Sequence, residues 1–340
     1  MTGILSILVL SAISISIIYM GKNALYHSLL GNMNDKISLG IADLENVVTR
    51  EETIGNTIKE GMMYIFEQND LPGGIPGNPW TIYDDYGKRL ETEDMSGTMF
   101  LSRIISTAIP ASRYNAETTI LDSLYSAIKN NEALLGAGVF LEPEAFYRGI
   151  ENYAPYMSKT DAKNRTIMVY PYSMYANKEY YLKAKETRDL NLTNAYVDDS
   201  EEGGYVVSVV LPIFYKEEFK GVVIIDISLS VFEIIEQKDS RFSTLFSSVI
   251  DSNGRFMYSM NKDRQGKLLS EILPEKSASA LQSFMDKNTG FNTYIKNNEG
   301  DLVQFHAIPI EMEGVSWWVS VEVSQKEFTH AITKMIMLAV

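Results

Sequence analysis

The 340-residue chain has no cysteine and only three histidines, His27, His306 and His330, far apart in sequence. That excludes a disulfide framework, a thiolate metal site and a cysteine nucleophile, so stability must come from packing. Cations are also scarce, with 30 Lys and Arg against 44 Asp and Glu and a formal charge of -14. A phosphate-binding surface needs clustered Lys and Arg, and with no such run nucleic acid is excluded as a partner. There is no G-x-S-x-G, no P-loop and no zinc-helix motif. The acidic stretches, Asp84 with Asp85 and the run of residues 198–202, lack the alternating ligand spacing of a calcium loop. The reading is therefore not an enzyme, with no cofactor and no metal site.

What is present is apolar material, 45% of the residues, enough for one or two folded cores. Gly3 to Met20 (GILSILVLSAISISIIYM) is uncharged and about as long as a bilayer-crossing helix. A cleaved signal peptide is the competing account, but the basic n-region and a clear small-x-small cleavage site before Lys22 are missing. Ala331 to Val340 (AITKMIMLAV) turns apolar again and is read as the start of a second membrane helix. Residues 1–22 and 330–340 would then bracket an extracytoplasmic region, residues 23–329, on one side of a cell membrane.

Between residues 23 and 70 apolar side chains recur at Leu25, Leu29, Met33, Ile37, Ile41, Leu44 and Val48, then at Ile54, Ile58, Met62 and Ile65. Steps of three and four make this a long amphipathic helix whose stripe serves core packing or a dimer contact. A homodimer is the expected assembly. Leu71 to Pro79 (LPGGIPGNP) is a loop, and Ala116 to Lys129 reads as a helix N-capped by Asn115. Short runs rich in Val, Ile and aromatics follow at Ala137 to Leu141, Thr166 to Tyr170, Gly204 to Leu211 and Gly221 to Leu229, with Pro212 to Lys220 as a hairpin turn. A second set comprises a hairpin around Ser252 to Gly254, a helix from Ser277 to Phe284, and strands at Gly290 to Ile295, Asp301 to Ile310 and Trp317 to Val323. The fold class is α+β, with modules at residues 71–240 and 241–329.

Three segments carry a resemblance. Gly221 to Leu229 (GVVIIDISL) matches a closing strand of a first module, Val249 to Tyr258 (VIDSNGRFMY) an opening hairpin of a second, and Pro309 to Val323 (PIEMEGVSWWVSVEV) a final strand pair. Together they resemble the double Cache sensor regions of bacterial and archaeal transmembrane receptors, in which a long N-terminal helix is followed by two PAS-like (Cache) modules with antiparallel sheets. The resemblance implies a small-molecule pocket in the first module and no catalysis. It implies a methyl-accepting chemotaxis receptor, or else the sensor of a histidine kinase or diguanylate cyclase, or a module that docks a periplasmic binding protein.

Amino-acid and amine binders of that family share an Arg-x-Trp-Tyr segment, a later Tyr-x-Asp and a strand carboxylate. By position, Lys178, Tyr180 and Tyr181 stand for the first, Tyr196 and Asp198 for the second and Asp226 for the third. Lys cannot grip a carboxylate bidentately as Arg does, so this chain departs from the pattern there. Read by their chemistry alone, Asp226 and Asp198 suit an ammonium, Lys178 a carboxylate, and Tyr172, Tyr180, Tyr181 and Tyr196 supply faces and hydroxyls. Direct binding of an amino acid or amine requires Tyr181, Tyr196 and Asp226 to converge on one cavity.

Overall fold

The computed structural model describes residues 2–69, 82–83, 85–86, 88–90, 98–197, 204–236 and 238–339. Two compact units emerge: a central one, Val47–Ser228, and a terminal one formed by Met1–Asn46 with Leu229–Val340. The break after Ser228 precedes the boundary read from the sequence near residue 240. Helix α1 (Thr2–Asn69) contributes to both. Among the described residues no helix is long and apolar enough to cross a membrane. The side chains of residues 2–19, within the run expected to do so, lie outside those residues, as does the 71–79 loop.

The α1 stripe is core. Leu29, Met33, Ile37, Leu44 and Val48, then Ile58, Met62 and Ile65, are all buried within the chain. The gap in the apolar spacing holds Glu51, fully buried, whose carboxylate accepts from Asn131 Nδ2 at 2.6 Å and Arg50 Nη2 at 2.8 Å. Gly55 follows, and a methyl there would run into Leu211 and touch Ile225, so α1 lies close on the sheet of the central unit.

That unit begins with two short hairpins, β1 (Ile82–Tyr83) with β2 (Arg89–Leu90) and β3 (Met99–Leu101) with β4 (Ala108–Pro110). Helix α2 (Ala111–Lys129) starts directly after Pro110, whose fixed φ suits a helix entry. Asn115 is therefore not the N-cap; it lies inside the helix, its carbonyl accepting from Thr119 Oγ1 at 3.0 Å. Next come β5 (Leu134–Leu141), β6 (Pro155–Ser158), α3 (Lys159–Asn164), β7 (Met168–Val169), α4 (Tyr172–Tyr175), α5 (Glu179–Thr187), β8 (Asn191–Leu192), β9 (Tyr196–Val197), β10 (Tyr205–Tyr215) and β11 (Glu218–Ser228). The antiparallel sheet runs β7-β6-β5-β11-β10-β8, and β9 also pairs with β10. The β10–β11 turn is two residues, Lys216 and Glu217, both at positive φ, where a nine-residue turn was expected. That backbone matches the twist of the flanking strands.

In the terminal unit a 3-10 helix (Leu229–Ile235) leads to β12 (Phe246–Asp251), β13 (Phe256–Ser259), α6 (Leu269–Ile272), α7 (Glu275–Met285), β14 (Phe291–Lys296), β15 (Leu302–Met312), β16 (Val315–Ser324) and α8 (Gln325–Ala339). Its antiparallel sheet runs β13-β12-β16-β15-β14. Phe256, Leu281, Phe305 and Trp318 pack in the core between sheet and α7. The β12–β13 turn is held by Asp251, whose carboxylate accepts from the main chains of Asn253 (2.9 Å) and Arg255 (2.8 Å), with Gly254 at positive φ.

Candidate ligand-binding site

One face of the central sheet is built around a charge. Across the ladder Asp226 stands between Ser208 of β10 and Gly136 of β5, and Ile224 between Val210 and Gly138. Both glycines are needed. A methyl at Gly136 would collide with the hydroxyl end of Tyr156, and one at Gly138 would press on the same ring and on the Pro155 carbonyl at 3.0 Å. Freed of side chains, β5 lets Tyr156 lie across it from β6.

Tyr156 thereby donates its hydroxyl to Asp226 Oδ2 at 2.7 Å. Ser208 Oγ donates to Oδ1 at 2.5 Å, and Tyr196 Oη lies 2.7 Å from Ser208 Oγ. Asp226 is 2% exposed, and a carboxylate so buried needs such donors. Since Ser208 spends its hydrogen on the carboxylate, Tyr196 is the donor in the second bond. Two hydroxyl hydrogens, from Tyr156 and Ser208, thus point to one carboxylate while that of Tyr196 points to Ser208 Oγ behind it, and a phenol oxygen that has donated can only accept from other groups.

Above this floor is a cleft of about 400 Å³ including its open mouth. Phe140, Ile224 and Asp226 form its floor, and Tyr156, Tyr170, Met174, Tyr175, Tyr180 and Tyr196 its walls. Tyr156 and Tyr170 lie 5.7 Å apart, Phe140 and Tyr175 4.9 Å, and Tyr180 stacks on Tyr196 at 5.9 Å. No Lys or Arg is among the lining residues. A carboxylate floor under aromatic walls attracts a cation.

Of the residues expected here, Tyr180, Tyr196 and Asp226 converge on the cleft, so the convergence of Tyr181, Tyr196 and Asp226 set as the condition for direct binding is met only by the last two, with Tyr180 as the third. Tyr181 and Tyr172 do not; both turn to Glu142, donating to it at 3.2 and 3.0 Å, where Lys185 Nζ adds an ion pair at 2.9 Å. Burial, and then the Glu142 charge, push the Tyr181 hydroxyl well above its ordinary pKa, and burial with the Glu142 bond raises that of Tyr172. Both stay neutral donors. Lys178 is the N-cap of α5, its carbonyl accepting from the main chains of Tyr181 and Leu182, and it is not among the lining residues. Asp198 lies outside the described residues.

Sequence reasoning missed Tyr156, Tyr170, Tyr175 and Ser208. The Gly-Ala-Gly of β5 was the available signal, since two glycines in a buried strand mark close approach by another group.

Residues 120–233 match the family of the first PDC sensor domain of methyl-accepting chemotaxis protein-like proteins, a span that includes every residue of the cleft. No curated protein matches the chain. Among solved structures, the extracellular domain of mmHK1S-Z3, described as a histidine kinase, is 24% identical over 64% of this chain and 82% of its own, with a TM-score of 0.52. The corresponding domain of mmHK1S-Z2 is 22% identical over 62% and 83%, with a TM-score of 0.51. Methyl-accepting chemotaxis protein X is 15% identical over 61% and 81%, with a TM-score of 0.50. The resemblance to receptor sensor regions is borne out, and so is the α+β class with its long helix and antiparallel sheets.

Proposed function

We propose that this chain is the extracytoplasmic sensor region of a transmembrane chemotaxis receptor and that the central cleft binds a small amine as its ammonium ion. The carrying observation is the buried Asp226 with its ring of inward-donating hydroxyls beneath tyrosine walls. Chemotaxis is favoured over a kinase by the family that residues 120–233 match. An amine is favoured over an amino acid because, among the described residues, no cation lines the cleft to receive a second, anionic group. The ligand acts by preferring one of two conformations of the unit, since only differential affinity shifts such an equilibrium.

The test is a thermal-shift screen of the full chain in detergent micelles against alkylamines, amino acids, purines and carboxylates, repeated with Asp226→Asn. A ligand at about 100 times its dissociation constant stabilises by about 2.7 kcal/mol. Stabilisation by an amine that disappears in the variant is the expected result. A shift with carboxylates, or an amine shift unchanged in Asp226→Asn, overturns the assignment.

A further inference from the structure

Six buried side-chain polar atoms lack a hydrogen-bond partner among the described residues, and three fall in one patch of the terminal unit: Gln304 Oε1 and both ring nitrogens of His306. Native folds leave few such atoms, so a cluster of three requires a reason. Gln304, His306 and Ile308 share a face of β15. Across β14 they meet Tyr294 and Asn292, and across β16 Val323, Val321 and Val319. Helix α1 covers this face through Tyr26, whose hydroxyl accepts from Asn292 Nδ2 at 3.1 Å. Asn292 Oδ1 in turn accepts from Gln304 Nε2. A chain of two amides therefore ties α1 to the sheet, and His306 stands directly opposite its middle member.

We infer that His306 is a proton-operated switch on the attachment of α1 to this sheet. A protonated ring carries two N–H donors; the Phe291 main chain favours the charged form from one side, and the spare side-chain acceptor on the ring's own face is Gln304 Oε1. If Gln304 turns to accept from the ring, its amide nitrogen leaves Asn292, and Asn292 loses the partner that orients it toward Tyr26.

Among the described residues no acid opposes the change. The titratable groups on this face are Tyr26 and Tyr294, hydrogen-bonded to each other. Helix α8 turns Phe328, Ala331 and Ile332 inward, and β16 contributes valines. Glu322 pairs with Arg264 and stands beside Phe305, on the opposite face from His306. His27 of α1 is exposed. Burial holds the His306 ring below the ordinary histidine value, offset in part by the Phe291 main chain. The folded value thus lies below the unfolded one of about 6.5, so attachment is strongest above that pH and weakens as acid protonates the ring.

With three histidines in the chain, the experiment is an imidazole NMR titration of the full chain in detergent micelles, with hydrogen exchange followed over residues 23–45. His27→Gln and His330→Gln assign the other two signals. The expected result is a His306 midpoint below the ordinary histidine value. Exchange in α1 rises several-fold through that midpoint in the wild type and stays level in His306→Gln. Gln304→Leu, which removes the acceptor, keeps the low midpoint and severs it from α1 exchange. The inference is overturned if the His306 midpoint is not lowered from the ordinary histidine value, if α1 exchange follows the same pH curve in His306→Gln or Gln304→Leu, or if sheet and helix loosen together.

Discussion

Gly136→Ala strikes the cleft where it has least room. The new methyl would overlap the hydroxyl and Cζ of Tyr156, closer than real Cβ contacts come, so the ring must move. That ring is boxed by Phe140 at 6.2 Å and Tyr170 at 5.7 Å, and any displacement breaks its 2.7 Å bond to Asp226. Loss of a hydrogen bond to a charged group is worth about 1.5–3 kcal/mol. Overpacking adds about 1–3 kcal/mol, while the stiffer unfolded chain gives back about 0.4–1 kcal/mol. The net loss is about 2–5 kcal/mol, and at about 2–4 °C per kcal/mol for a unit of this size the melting temperature falls by about 4–20 °C. Tyr156→Phe alone should lose only the hydrogen-bond part, and adding Gly136→Ala to it should subtract less than in the wild type, because the bond is already gone. Urea unfolding followed by near-ultraviolet circular dichroism reads both stability and the tyrosine environment. A neutral or stabilised Gly136→Ala protein refutes the placement of Tyr156 over the glycine and with it the satisfied state of Asp226.

Two further outcomes are expected. Glu51→Ala leaves the buried Asn131 amide without its 2.6 Å acceptor and should cost about 1–3 kcal/mol, whereas Glu51→Gln keeps an acceptor and should lose clearly less; equal losses in denaturant titrations would contradict the role given to the carboxylate. Burial works against the Glu327 charge, but bonds from Ser243, from Thr244 Oγ1 at 2.7 Å and from its main chain at 2.9 Å hold the carboxyl down to about 2. Because that folded value lies below the ordinary 4.5, its contribution is full above about pH 4.5 and drains away as pH falls toward 2. Glu327→Gln should flatten the acid limb of stability against pH, and an unchanged limb would exclude it.

Periodicity made most of the fold legible, and its failures have local causes. The α1 stripe was read correctly from threes and fours; the break after Val48 looked like a fault in the pattern and is a buried glutamate paired across the chain to Asn131. Strands β8 and β9 span two residues each, too short to show alternation. Pro212 suggested that β10 stopped before it, yet the strand runs on to Tyr215. The ladder explains why: β8 meets β10 only at Val209 and Val210, so Pro212 sits where that side of the strand has no partner to receive an N–H.

The site was half legible for a geometric reason. Positional matching proposed both Tyr180 and Tyr181, but neighbours on a helix point about 100° apart, so α5 can turn only one of them into the cleft. Tyr180 takes that place, while Tyr181 and Tyr172 are drawn to Glu142, the residue just past the end of β5. Asp226 posed an apparent choice between a ligand contact and a structural hydrogen bond. Its partners, Tyr156 seventy residues away and Ser208 eighteen, come from pairing across the sheet and leave no local trace in the sequence. The structural bonds are present, and in the proposed site the two roles coincide. The hydroxyls that make the buried carboxylate tolerable do so by turning their hydrogens toward it, and this gives the cleft wall the acceptor oxygens and ring faces that a cation requires. In the proposed site, stabilising the charge and shaping the cleft follow from the same three hydrogen bonds.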